Sequence, residues 1–398
     1  MEALAAIDLP NVPLLVIGVG LLLFALFLPA LLADASGGST LRWLAAAGGV
    51  AVCVLAFRFW IPKETPPPQP LTHSECVDRV SKRMAELAPP QRPVVQAPGA
   101  PTSSAAFGLV SGSGTGTYYV LAQNVVDLAL RESLPMFNRE TQGTLDNVSK
   151  MADRQENAAL GFAQSDFLSW MERSSDPAQR QTAASLRMVL PLYAEEVHVL
   201  ARRPVGRLAE LAGKRIVFAQ SSQGSKFTAE NLLRSKGVEA SPVAAASAAD
   251  GMCQVVTGAA DAMVIVAGKP TVQVRSLDAL LPHPSQPLAA VHLMPLADVL
   301  PLDGYEAARV GQEDYAWVQA PVDTLAVRAL LMAFDFSPRR NAYQKLRCEQ
   351  LGRLGEVLRR HQEEFRKPEY HPKWREVDFQ RQVSGWSLDR CANPAAGS

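Results

Sequence analysis

An excess of charge of either sign is missing from this sequence. Its 39 basic and 39 acidic residues leave no net charge, which removes the basic surface that nucleic-acid binding needs. Cysteine is scarce, at five in 398 residues, and no two form a CxxC pair. A zinc ribbon or a thioredoxin-like centre is therefore not expected. The six histidines, His73, His198, His283, His292, His361 and His371, show no HxxxH spacing, which argues against a metal site. No GK[ST] follows a glycine-rich loop, so a P-loop is excluded. Neither Ser111 nor Ser113 has glycines two residues away on both sides, so neither sits in a nucleophile elbow. No nucleophile–base pair or acid pair stands out by spacing. The chain is not expected to be an enzyme, and no cofactor is implied. Aromatic residues make up only 7% against 48% apolar, a composition that fits a globular α/β protein with apolar helices added.

Long apolar runs are present, and both lie at the start. Val12 to Leu32 is 21 residues without a charge, enough to cross a hydrocarbon core of about 30 Å. A second stretch runs from Leu41 to Ile61, with Arg42 and Arg58 near its ends and Trp60 suited to the interface. The short link Ala33 to Thr40, with Gly37 and Gly38, makes residues 1–61 read as a two-helix transmembrane hairpin. A cleaved signal peptide needs a basic start, and residues 1–11 hold Glu2 and Asp8 but no Lys or Arg. Basic residues are too few to set the orientation: Arg42 favours a cytoplasmic link, and Arg58 and Lys63 oppose it.

Residues 62–105 are rich in proline, with Pro66, Pro67, Pro68, Pro70, Pro89, Pro90, Pro93, Pro98 and Pro101. Such runs favour extended polyproline II, a semi-rigid spacer. The same composition equally suits a connector with no role of its own. Cys76 to Leu87, between the proline clusters, has helical spacing. From Phe107 the pattern alternates. Strand-like runs occur at Phe107–Val110, Ala158–Phe162, Val197–Ala201, Arg215–Ala219 and Ala262–Val266, with helical patterns at Tyr118–Leu130, Thr228–Ser235 and Ala249–Thr257. Alternation of this kind predicts a parallel-dominated α/β sheet with helices on both faces.

Two strand–glycine-loop–helix units lie about 110 residues apart, which suggests one lobe each. The first loop, Ser111-Gly112-Ser113-Gly114-Thr115-Gly116-Thr117, brings free helix N–H groups and three hydroxyls together, the makings of an anion site. The dinucleotide fingerprint fails here: Thr117 stands where the third glycine belongs, and Asp127 and Glu132 fall in or near the helix. A turn with no ligand is the plainer alternative. The second loop, Gln220-Ser221-Ser222-Gln223-Gly224-Ser225, has the same logic, with Ser225 as a helix cap. Lys226 either offers a charge to a carboxylate or, more commonly for a lone lysine, sits in solvent. Asp166 is read first as a helix cap, and His198 as a satisfied core residue. Cys348 and Cys391 are the pair to test for a disulfide, should the domain face an oxidising compartment.

These residues, taken in order, resemble the TAXI family of TRAP-transporter solute receptors. The resemblance rests on Gly116-Thr117-Tyr118-Tyr119, Thr141-Gln142-Gly143-Thr144-Leu145-Asp146-Asn147, Leu160-Gly161-Phe162-Ala163-Gln164-Ser165-Asp166, the crossover around Tyr193, Leu208 to Leu233, Asp261 to Pro270, and the returns at Thr324–Leu331 and His371–Trp374. It spans residues 106–376. It implies a two-lobed type II periplasmic-binding-protein fold, with 106–200 as the first part of lobe I, 201–310 as lobe II, 311–376 as the return to lobe I, and 377–398 as a tail. It further implies a periplasmic domain on the bacterial inner membrane, a small carboxylate such as glutamate or a dicarboxylate, and a TRAP-type permease as partner. Ligand contacts are implied at Ser113, Gly114, Thr115, Tyr118, Gly143, Thr144, Gln164, Ser165, Tyr193, Gly224 and Ser225. Two features depart from the family: Gln223 replaces a smaller residue, and the chain carries an anchor where relatives are commonly free. A tethered sensor or assembly subunit with a degenerate cleft is the alternative function.

Overall fold

The computed structural model describes residues 68–88, 106–114, 116–219 and 223–394. The chain divides into two units, residues 1–68 and 69–398, and every described residue except Pro68 falls in the second. The two apolar runs expected to cross the membrane lie outside the described residues. Among the described residues, no helix is long and apolar enough to cross a membrane.

The second unit is built on a ten-stranded sheet in the order β2-β1-β3-β10-β4-β7-β5-β6, with β8 on β4 and β9 on β10. Lobe I contributes β1 (Phe107–Val110), α2 (Thr117–Arg131), β2 (Met136–Arg139), α3 (Thr144–Ala152), β3 (Ala158–Gln164), α4 (Asp166–Glu172) and α5 (Pro177–Ser185). Lobe II contributes β5 (Arg215–Ala219), α6 (Gln223–Ser235), β6 (Ser241–Ala245), α7 (Ala248–Thr257), β7 (Ala262–Ala267), α8 (Val272–Arg275), β8 (Val291–Leu293) and β9 (Glu306–Val310). β4 (Leu186–Arg202) and β10 (Val322–Phe334) run through both lobes. α9 (Ala342–Arg360) then packs back on lobe I, where Leu351, Leu354 and Leu358 enter the core that holds Phe107 and Phe162.

The sheet is mixed, not parallel-dominated. Each lobe has a parallel centre, β2-β1-β3 and β6-β5-β7. β10 pairs antiparallel with β3, β4 and β9, and β4 pairs antiparallel with β7 and β8. Local apolar runs show that strands exist; their direction is set by how the long strands return, which the runs do not encode. β4 and β10 divide their burial between the lobes. Leu190, Leu192 and Tyr193 enter the lobe I core, while Val197, Val199 and Ala201 enter lobe II. Leu325 and Val327 serve lobe II, and Ala329, Leu331 and Ala333 serve lobe I. The change-over falls at residues 194–196 and at Arg328.

Within the proline-rich stretch, α1 (His73–Leu87) forms where helical spacing predicts it. Thr72 caps its start by accepting from the Glu75 N–H. It lies on lobe II: Cys76 and Val80 are fully buried in that core. Arg83 forks onto Asp278 with two 2.9 Å bonds, and His73 meets Asp250 at 2.8 Å. A Cys76–Cys253 disulfide fastens the helix to α7. The Cys348–Cys391 disulfide is also present. It ties Cys391 to α9, and the described part of the segment read as a tail, residues 377–394, is packed: Asp389 and Ala392 are fully buried, and the Trp386 indole donates to the Ser165 carbonyl at 2.8 Å.

Closing a 43-residue loop removes unfolded-state entropy, by about 4 kcal/mol on a chain-entropy count and commonly 2–4 kcal/mol in practice. Replacing Cys348 and Cys391 with Ser is expected to lower unfolding free energy by about 2–4 kcal/mol, read by denaturant titration of the domain.

Candidate functional site

Two loops of lobe I reach the cleft as strand-to-helix turns. Gly116 precedes α2 and Gly143 precedes α3, and neither helix start has a side-chain cap. Their first N–H groups are therefore left to another acceptor. Gly143 has φ +103°, a conformation that requires glycine. The loops are locked from behind by Asn147, which is fully buried. Its amide donates to the carbonyls of Ser111 (2.7 Å) and Phe162 (2.9 Å), and its oxygen accepts from the Thr141 hydroxyl at 2.6 Å. Lobe II supplies the start of α6, where the Ser225 hydroxyl accepts from the Val266 N–H at 3.0 Å and so fixes α6 on the end of β7.

These elements line a cavity of about 130 Å³. The first residues of three helices line it: Gly116 and Thr117, Gly143 and Thr144, and Gly224 and Ser225. Tyr193 and Glu195 of β4 contribute further lining, together with Tyr118, Gln164 and Gln273. A wider groove of about 630 Å³ beside Leu300–Tyr305 is open and mainly apolar, with no comparable convergence of polar groups.

Of the residues implied by resemblance, Ser113, Tyr118, Gly143, Thr144, Gln164, Tyr193, Gly224 and Ser225 line the cavity. Gly114 does not; its N–H donates to Glu140 Oε1 at 2.6 Å. Ser165 does not either. It is held by Arg328 through its N–H and its hydroxyl, at 2.8 and 2.9 Å. Thr115 and the Gln223 side chain lie outside the described residues. Lys226 is exposed beside Glu230 and does not line the cavity. His198 is a core residue, bonded to the Tyr315 hydroxyl at 2.7 Å, and burial pushes its pKa down to about 4. Among the described residues no cluster could hold a metal ion.

Glu195 was missed by sequence reasoning, although two adjacent glutamates in an otherwise apolar strand were a signal. Successive strand residues face opposite ways, and the two acids have different surroundings. Glu196 meets the Lys373 ammonium at 3.1 Å and accepts from the Lys269 N–H at 2.7 Å. Glu195 lines the cavity, is 5% exposed, and accepts from the Tyr118 hydroxyl at 2.6 Å. Burial pushes its pKa up to about 8.

The lobes touch directly beside the cavity. Asp166, read as a cap, instead accepts from Thr228 and Tyr305 hydroxyls of lobe II, both at 2.7 Å. Burial raises its pKa even though both bonds favour the anion. Phe227 of α6 packs on Phe167 and Trp170 of α4, with ring centres 5.2 and 5.8 Å apart. Gly224 faces Gln164 so closely that a Cβ there would lie 2.9 Å from the carboxamide carbon.

Two α/β lobes on one continuous sheet, joined by two crossing strands with a small cavity between them, make this a type II periplasmic-binding-protein fold. The chain belongs to the NMT1-like family, which matches residues 109–363. Members of this family are solute-binding proteins, not enzymes. Similar solved structures include XAC2383 from Xanthomonas citri bound to ATP, at 13% identity over 74% of this chain and 96% of that one, with a TM-score of 0.43. The periplasmic aliphatic sulphonate binding protein SsuA from Escherichia coli shares 17% identity over 66% and 72%, TM-score 0.37. The GluR0 ligand-binding core from Nostoc punctiforme, solved with L-glutamate, shares 14% over 65% and 93%, TM-score 0.36. No curated protein matches the chain. At this level of likeness none of these structures assigns a ligand here.

Gly224→Val places a branched side chain on Gln164 and is expected to hold the lobes apart. Small-angle scattering should report a larger radius of gyration than for the wild type, with the fold retained by circular dichroism. The raised Glu195 pKa means that the folded state holds a proton the unfolded state releases between about pH 4.5 and 8. Stability from this group is therefore full below pH 4.5 and falls as pH rises through 8. Across that window the loss is at most about 5 kcal/mol. Glu195→Gln removes this contribution, so the drop in melting temperature from pH 5 to pH 8 is expected to be smaller in the variant than in the wild type.

Proposed function

We propose that this protein is a membrane-anchored receptor of the TAXI type, which captures a small carboxylate in the interlobe cleft and presents it to a TRAP-type permease. The observation that carries the reading is the convergence of three helix starts on one cavity. Helix N-termini attract anions through their free N–H groups and the helix dipole. The cavity, at about 130 Å³, is well below the roughly 300–1,000 Å³ of sites for drug-sized ligands, so it suits a ligand of few heavy atoms. Disulfides persist in oxidising compartments, and the two bonds here support a periplasmic domain on the bacterial inner membrane. Residues 12–32 and 41–61 would form the two-pass anchor in the lipid bilayer. Tethering raises the receptor's local concentration at a membrane partner.

One observation favours a second reading, a tethered sensor or assembly subunit. Direct bonds between the lobes at Asp166, and the Trp170–Glu230 and Arg173–Asn231 contacts beside it, lessen the dependence of closure on a ligand.

The discriminating experiment is a thermal-shift scan of the full-length chain in detergent against glutamate, other amino acids, 2-oxo acids and dicarboxylates. A ligand at 100 times its dissociation constant is expected to add about 2.7 kcal/mol to stability. A selective shift establishes the receptor. No shift from a well-folded preparation favours the sensor or assembly subunit.

A further inference from the structure

The cleft contains more acceptors than a carboxylate alone can use. Glu195 is 5% exposed, and among the described residues the Tyr118 hydroxyl is the one hydrogen-bond partner of its carboxyl. Gln164 is 3% exposed, lines the same cavity, and its Oε1 has no hydrogen-bond partner. No Lys or Arg is among the described residues that line the cavity. The charged and titratable groups around Glu195 are Tyr118 on α2, Asp166 on α4, its strand neighbours Tyr193 and Glu196, and Lys373 from the C-terminal return. Lys373 is engaged by Glu196, Glu376 and the Ala194 carbonyl. The buried amide oxygen calls for a donor, and so does the Glu195 carboxyl whenever it is ionised; a cation is the strongest donor and favours that ionised form. The three helix starts in the same lining favour an anion.

We propose that Glu195, positioned by Tyr118, determines specificity by selecting a small zwitterion of the α-amino-acid type, whose ammonium group meets Glu195 while its carboxylate faces the helix N-termini. This rests on the carboxylate-receptor reading and narrows it: acids that lack a cationic N–H group are poor ligands. Because burial holds Glu195 up to about 8, the site is largely protonated at pH 7. Docking an ammonium group converts the Glu195 carboxyl to a carboxylate, and its proton goes to the buffer.

The test is calorimetry of the full-length chain in detergent at pH 7, in two buffers of different ionisation enthalpy. The titrants are α-amino acids and the 2-hydroxy and 2-oxo acids with the same side chains. Expected are binding of an amino acid at least about tenfold tighter than its counterparts, release of about one proton, and loss of that preference in Glu195→Gln, with hydroxy-acid affinity kept. If 2-hydroxy or 2-oxo acids bind as well or better, with protons taken up, Glu195 is a protonated donor to an anion. The specificity assignment then falls, and the carboxylate receptor stands. If no titrant binds, the receptor reading falls and takes the assignment with it. Should Glu195→Gln not fold, the wild-type preference and the sign of the proton count decide the matter.

Discussion

β4 and β10 lie side by side, antiparallel, through both lobes, and the rest of the molecule is arranged around that pairing. Each strand puts one half into each core, so the lobes share a sheet and cannot separate; they can only bend about the change-over. Two features mark that place as the weak point of the ladder. The register shifts at Arg328, and Pro191 offers no N–H. Arg328 itself is 6% exposed and reaches Glu306 and the Leu192 carbonyl. Lys373 holds the opposite side through Glu196. The bend is thus pinned by charge where backbone pairing is thinnest.

The same alternation that builds a strand separates two adjacent acids. Glu196 faces a buried lysine, and Glu195 faces the cavity. Removing one partner of a buried pair leaves an uncompensated charge, so the Glu196–Lys373 pair is a structural commitment. Glu195 carries no such partner, and it lines the cavity beside Tyr118 together with the three helix starts.

The contact with lobe I and the seat of α1 fall on different parts of lobe II. α6 touches lobe I through Phe227 and Thr228, beside the cavity. α1 lies on another part of the same lobe, fastened by Cys76–Cys253 and by the Arg83–Asp278 fork. The chain that follows the apolar runs is therefore bound first to lobe II, before it contributes a single strand to lobe I.

Local chemistry determined the elements that the sequence made legible. The apolar runs Phe107–Val110 and Arg215–Ala219 are strands at those residues, because a short buried strand needs little beyond an unbroken β-forming run. The two glycine loops were visible for the same reason: turn geometry is a property of a few adjacent residues. What lies across the chain was decided only in three dimensions. β6 has a largely exposed edge pattern that reads as loop. The antiparallel returns of β4 and β10, the choice of Cys253 by Cys76 across 177 residues, and the use of Asp166 as a bridge between lobes all depend on partners far away in sequence. Glu195 belongs with them. Two adjacent glutamates in a strand are equivalent on paper, and only the packing of Lys373 against one face and a cavity against the other makes one a hinge pin and the other part of the lining of the site.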